Sequence, residues 1–64
     1  MQDYQERVID EQASLLIKLE SLKKFVYSNP FYKLSRIDQY LLVEQLGHMT
    51  AYSNTLDLRI SLFK

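Results

Sequence analysis

Two groups of side chains in this sequence have the types and spacing to hold a small anion. Arg7 and Glu11 stand one helical turn apart, and Tyr52 and Arg59 two turns apart. Guanidinium groups grip phosphate through paired N–H donors, a carboxylate accepts from ribose hydroxyls, and a tyrosine ring offers a face to a base. The second group is Arg36 with Tyr32 and Tyr27. The free N–H groups at the start of a helix beginning at Arg36 can hold a phosphate beside its guanidinium. Each group also has a plain structural alternative. Arg and Glu at the edge of a helix seam form a salt bridge, and Lys18, Lys23, Lys24 and Lys33 read as a solvated surface with pairs such as Glu20–Lys24. Five Tyr in 64 residues is a high share of side chains that combine a stacking face with a hydroxyl.

Catalytic apparatus is harder to find. The chain has no G-x-S-x-G, H-E-x-x-H, P-loop or G-x-G-x-x-G. His48 shares its helix with Ser53 and Asp57, but offsets of five and nine residues do not bring three side chains together. It is expected instead as a partly buried polar residue near the seam. Glu6, Asp10 and Glu11 would work as acid and base only if buried together, and they read as a solvated face. With no Cys and one His, neither a thiolate site nor a closed zinc site can form. The reading is of a protein that is not an enzyme and needs no cofactor.

Sparse punctuation dictates the elements that must position these residues. One Gly and one Pro argue against a sheet with its many turns. A first helix is expected from about 3 to 28, with Asp3 and Glu6 as a capping box. Its apolar stripe is Tyr4, Val8, Leu15, Leu19, Leu22 and Val26, interrupted once by Gln12 or Glu11. Asn29-Pro30 stops it, because proline disfavours helical geometry in the residue before it and brings no N–H. Phe31 to Leu34 can form one helical turn that closes the end of the core. The turn runs over about 29–35, and Ser35 is the next N-cap, with Asp38 three residues on. The second helix is expected over about 36–62. Its stripe is Ile37, Leu41, Gln45, His48 or Met49, Tyr52, Leu56 and Ile60. Gly47 reads as a small residue at a helix crossing, or as room for another backbone or a ligand. Two helices of about 40 Å joined by a short turn pack antiparallel, so that facing residue numbers add up to about 66. Arg7 then approaches Arg59.

A single hairpin domain of 64 residues leaves a surplus. Ile9, Leu16, Ile17, Phe25, Leu42, Leu46, Leu58 and Leu62 cannot all enter one seam between two helices. Disulfides and metal being excluded, self-association is the remaining way for so short a chain to complete its core. The fold expected is therefore an all-α antiparallel two-helix hairpin that assembles into a homo-oligomeric helical bundle. Eight basic and eight acidic residues balance, so nucleic acid is disfavoured as a partner. The apolar runs fall far short of the roughly 18 residues of a membrane span. The start lacks the pattern of a secretion signal, and a cytoplasmic protein is expected.

The chain resembles a known group through Arg7-Val8, Glu11, Leu15, Lys18, Leu22 and Phe25, then Leu41-Leu42, Gln45, Met49, Tyr52, Leu56 and Arg59-Ile60. These positions are similar to a widespread family of very small phage proteins, relatives of a crAss-like phage protein. The likeness covers nearly the whole chain and is strongest in the Arg-Val start and the Met-x-x-Tyr-x-x-x-Leu-x-x-Arg-Ile end. In size and helical character the chain also resembles the Sequestin family, which captures cyclic ADP-ribose signals made by TIR enzymes in Thoeris defence. Other phage sponges capture CBASS cyclic oligonucleotides. The resemblance implies an anti-defence protein in the infected bacterial cytoplasm that binds a nucleotide signal without turnover, in pockets where protomers meet. The ligand-binding residues would come from Arg7, Glu11, Lys18, Tyr32, Arg36, Gln45, Tyr52 and Arg59. The rival expectation is a helical module that inhibits a host protein by laying an apolar face on it.

Overall fold

The computed structural model describes residues 3–63 and contains two long helices and one short one. Helix α1 spans Asp3–Val26, α2 Asn29–Tyr32 and α3 Arg36–Ser61. Among the described residues there are no strands. Asp3 is the first helical residue rather than the cap, and the position before it lies outside the described residues. Asp3 and Glu6 still place negative charge in the first turn, where the helix dipole favours it.

The connection is more ordered than a plain turn. Helix α1 stops at Val26, and Ser28 takes an extended conformation before Asn29. Pro30 sits in the first turn of α2, where its missing N–H costs nothing. Phe31 is buried against the end of the hairpin. Its ring stands edge-on to Phe25 at 6.2 Å and to Tyr32 at 5.4 Å, so this turn does close the core. The Ser35 hydroxyl accepts from the Asp38 N–H at 3.2 Å, the N-cap expected from the sequence. The Gln39 amide donates to the Leu34 carbonyl at 3.0 Å and ties the connection to α3.

Helix α1 packs antiparallel along α3 in a rod of 46 × 15 × 14 Å. The register matches the estimate from helix rise. Gln12 bonds to Ser53, and Tyr4 meets Phe63 edge-on at 5.9 Å, pairs whose numbers add up to 65 and 67. On α1 the inward residues are Gln5, Val8, Gln12, Leu15, Leu19 and Val26. The intervals of three, four and seven keep them on one face. Gln12, not Glu11, is the polar interruption, and Tyr4 lies mostly exposed at the rim.

On α3 the expected stripe holds at Met49, Leu56 and Ile60 and requires correction elsewhere. The inward residues are Leu42, Leu46, Met49, Ser53, Leu56 and Ile60, with Phe63 just past the helix. Ile37, Leu41, Gln45, His48 and Tyr52 are exposed on the neighbouring face. Apolar residues occur all round α3, so two 3/4 stripes compete and periodicity alone cannot choose between them. Leu42 and Leu46 thus belong to the seam, whereas Ile9, Leu16, Ile17, Phe25, Leu58 and Leu62 remain in the exposed surplus. Gly47 is exposed, and a Cβ built there meets nothing within 4 Å, so it does not serve a helix crossing inside the chain.

Candidate binding groove on the second long helix

Leu41, Glu44, Gln45, His48, Met49 and Tyr52 line an open, mainly apolar groove of about 550 Å³. Their spacing along α3 is three and four residues, which sets them on one helical face. Met49 forms its floor, because it is also packed against the core of Val8, Leu15 and Leu56. The Gln45 amide lies 3.9 Å from the Met49 sulfur. His48 stands on the wall with its side chain 82% exposed, 3.8 Å from the Glu44 carboxylate. It is therefore not the partly buried seam residue that was expected. Tyr52, 45% exposed, presents a ring at the far end.

A polar crossing joins the two helices in the seam beside the groove. The buried Gln12 amide donates to the Ser53 hydroxyl at 3.2 Å and, through a short bond, to the Asp57 carboxylate. Ser53 and Asp57 thus face α1, away from His48. The three share no site, as their offsets indicated. Among the described residues no buried side-chain N or O lacks a partner.

Of the residues proposed from the sequence, the groove brings together Gln45 and Tyr52. Arg59 lies on the same face of α3, two turns beyond Tyr52, and is exposed. Arg7 and Glu11 are exposed on α1, and the observed register sets Arg7 level with Arg59. Lys18 is exposed on α1. Among the described residues, the ion pairs are Glu20–Lys23 at 3.8 Å and Glu44–His48. Glu20 therefore pairs with Lys23 and not with Lys24. The salt bridge that would have given Arg7, Glu11 and Arg59 a purely structural role is not among these pairs.

The second group fares worse. Arg36 opens α3 and Tyr32 is exposed nearby, but Ser35 already occupies the Asp38 N–H. The Asp38 carboxylate sits in the same turn and repels an incoming phosphate. Leu41, Glu44, His48 and Met49 were not proposed as site residues. The 3/4 spacing from Leu41 to Tyr52 signals their common face, but that face had been given to the seam. Among the described residues no group of His, Asp and Glu could hold a metal ion, and no helix is long and apolar enough to cross a membrane.

Fold and groove together define a small all-α hairpin with an open surface groove on its second long helix. The chain belongs to the Sequestin family, whose profile matches residues 2–62. It is also 39% identical, over 61 residues and 95% of each chain, to an uncharacterised 7.5 kDa protein in the denB-rIIB intergenic region of Enterobacteria phage T4. This is a small phage protein of Sequestin type, and the family points to sequestration of a nucleotide signal. No solved structure matches the chain.

Proposed function

We propose that this protein binds a nucleotide-derived immune signal of the cyclic ADP-ribose type and holds it without turnover, as an anti-defence sponge against Thoeris. CBASS cyclic nucleotides are the next ligand class. The observation that carries the reading is the match to Sequestin over residues 2–62 in a chain whose groove combines an exposed tyrosine with amide and imidazole groups. Tyr52 would stack on the base, and Gln45 and His48 would bond its edge or the ribose. Arg59 and Arg7, at one level beyond the groove, would take the phosphates, with Glu11 on a ribose hydroxyl. Lys18, on α1, would add positive charge. Homo-oligomeric assembly would complete the pockets.

Calorimetry with cyclic ADP-ribose isomers and cyclic dinucleotides tests this. Binding of at least one at micromolar affinity or tighter is expected, with the ligand recovered unchanged. Absence of heat with all of them at micromolar concentration overturns the reading. Arg7→Ala and Arg59→Ala should each abolish capture while helicity and assembly persist. If both variants fail to assemble, the arginines are structural. Tyr52→Ala should weaken binding by about tenfold or more, since a base stacked on an aromatic ring contributes about 1–3 kcal/mol.

One observation favours a second reading. Ile17 on α1 and Leu58 and Leu62 at the end of α3 are each at least two-thirds exposed. A module that inhibits a host protein would use exposed apolar side chains of this kind. It predicts a protein that captures one host partner and binds no nucleotide.

A further inference from the structure

The balanced total charge conceals a separation along the molecule. Between Glu20 and Asp38 the chain carries Lys23, Lys24, Lys33 and Arg36 and no carboxylate. Residues 3–11 hold Asp3, Glu6, Asp10 and Glu11 against one cation, Arg7. Antiparallel packing of α1 on α3 puts these stretches at opposite ends of a 46 Å rod. That length is about five Debye lengths at physiological salt, so a partner at one end does not sense the charge of the other. The turn end therefore acts as a cation in its own right, and total charge is a poor guide to what it meets.

Stability accounts for only part of this charge. Lys23 and Lys24 stand in the last turn of α1, where the helix dipole favours them, and Lys23 lies 3.8 Å from Glu20. Arg36 opens α3, where the dipole disfavours a cation. Among the described residues Lys24, Lys33 and Arg36 form no ion pair. Two rings accompany them, Tyr27 at 81% exposed and Tyr32 at 68%. Tyr32 is braced. Its ring stands edge-on to the buried Phe31, which in turn stands edge-on to Phe25. Its carbonyl accepts from the Gln39 amide at 3.5 Å. A tyrosine held in this way offers a stacking face at little entropic cost.

Cations for a phosphate backbone, set beside rings that stack on bases, are the two parts of a single-stranded nucleic-acid site. A duplex fits worse. Paired bases hide their faces, and a rod 15 × 14 Å across is broader than the major groove of about 12 Å. An anionic membrane also fits worse, because α2 has only four residues, too few for an amphipathic interfacial helix, and its Phe31 is turned inward. We propose that the turn end binds a single strand of RNA or DNA, with Lys24, Lys33 and Arg36 on its phosphates and Tyr27 and Tyr32 stacked on its bases. This site is separate from the groove on α3 and shares no residue with its lining.

Fluorescence anisotropy with short labelled oligothymidylate and oligouridylate tests this, and the tighter of the two says whether the strand is DNA or RNA. Three phosphate contacts predict that log K falls against log salt with a slope of about −2. Lys24→Gln combined with Lys33→Gln should reduce the slope to about −0.7. Tyr27→Ala and Tyr32→Ala should each weaken binding about fivefold or more at unchanged slope. Helicity should persist in all of them, because every one of these positions is exposed. No binding of either strand at about 50 mM salt overturns the proposal. So does a slope that the lysine variant leaves unchanged, tighter binding of a duplex, or binding of phosphatidylserine vesicles with neither oligonucleotide. Loss of the strand through Tyr52→Ala would put it in the groove and overturn the proposal likewise.

Discussion

Single residues in the seam do two different jobs, and their substitutions should separate them. Leu56 is 1% exposed and joins Val8 and Leu15 in the apolar core. Gln12 instead gives up apolar burial for a bond to Ser53 across the seam. A lone polar position in an apolar helix interface fixes register, because every shifted pairing would strand its donors and acceptors. Gln12→Ala should therefore cost about 1–3 kcal/mol in chemical unfolding followed by helicity. The double change Gln12→Leu with Ser53→Ala should recover most of that loss, since both buried partners become apolar and the exposed Asp57 carboxylate turns to water. It should also broaden the transition as alternative registers become available. A loss below about half a kcal/mol for Gln12→Ala would mean that the crossing does not hold the register.

At the scale of the elements, the ends were more legible than the faces. Ser35 and Asp38 mark the start of α3, and Asn29-Pro30 marks the break, because caps and prolines act locally and read the same in any fold. Ser35→Ala should destabilise the chain by about 1 kcal/mol, read as a fall of about 4–8 °C in thermal midpoint. Ser35→Gly should lose only a few tenths. Equal losses would mean that the hydroxyl bond to Asp38 contributes nothing. The inward face of α1 was also legible, since its other faces are largely polar. That of α3 was not. Leu41 and Leu42 are adjacent, as are His48 and Met49 and then Tyr52 and Ser53, so shifting the stripe by one residue gives a second apolar row nearly as complete. The choice is made by Gln12, which needs the Ser53 hydroxyl opposite it, and that partnership spans 41 residues of sequence. The same one-residue displacement hid the groove, whose lining had been placed in the core.

For the whole molecule, the shape itself argues for association. A rod of 46 × 15 × 14 Å has too much surface for its volume, and α3 offers apolar side chains on sides that α1 does not reach. If folding and assembly are one equilibrium, stability must depend on protein concentration, because mass action favours the state with fewer particles. The size of the effect follows from chain length. Unfolding entropy of about 2.1 cal/mol/K per residue gives a dimer of this chain about 0.27 kcal/mol/K. A tenfold rise in concentration contributes about 1.4 kcal/mol, so the thermal midpoint should climb by about 5 °C per decade. Circular dichroism at 2, 20 and 200 µM would read this directly. A wild-type midpoint that does not move over that hundredfold range would make the hairpin self-sufficient, and its exposed faces would then need a partner other than itself.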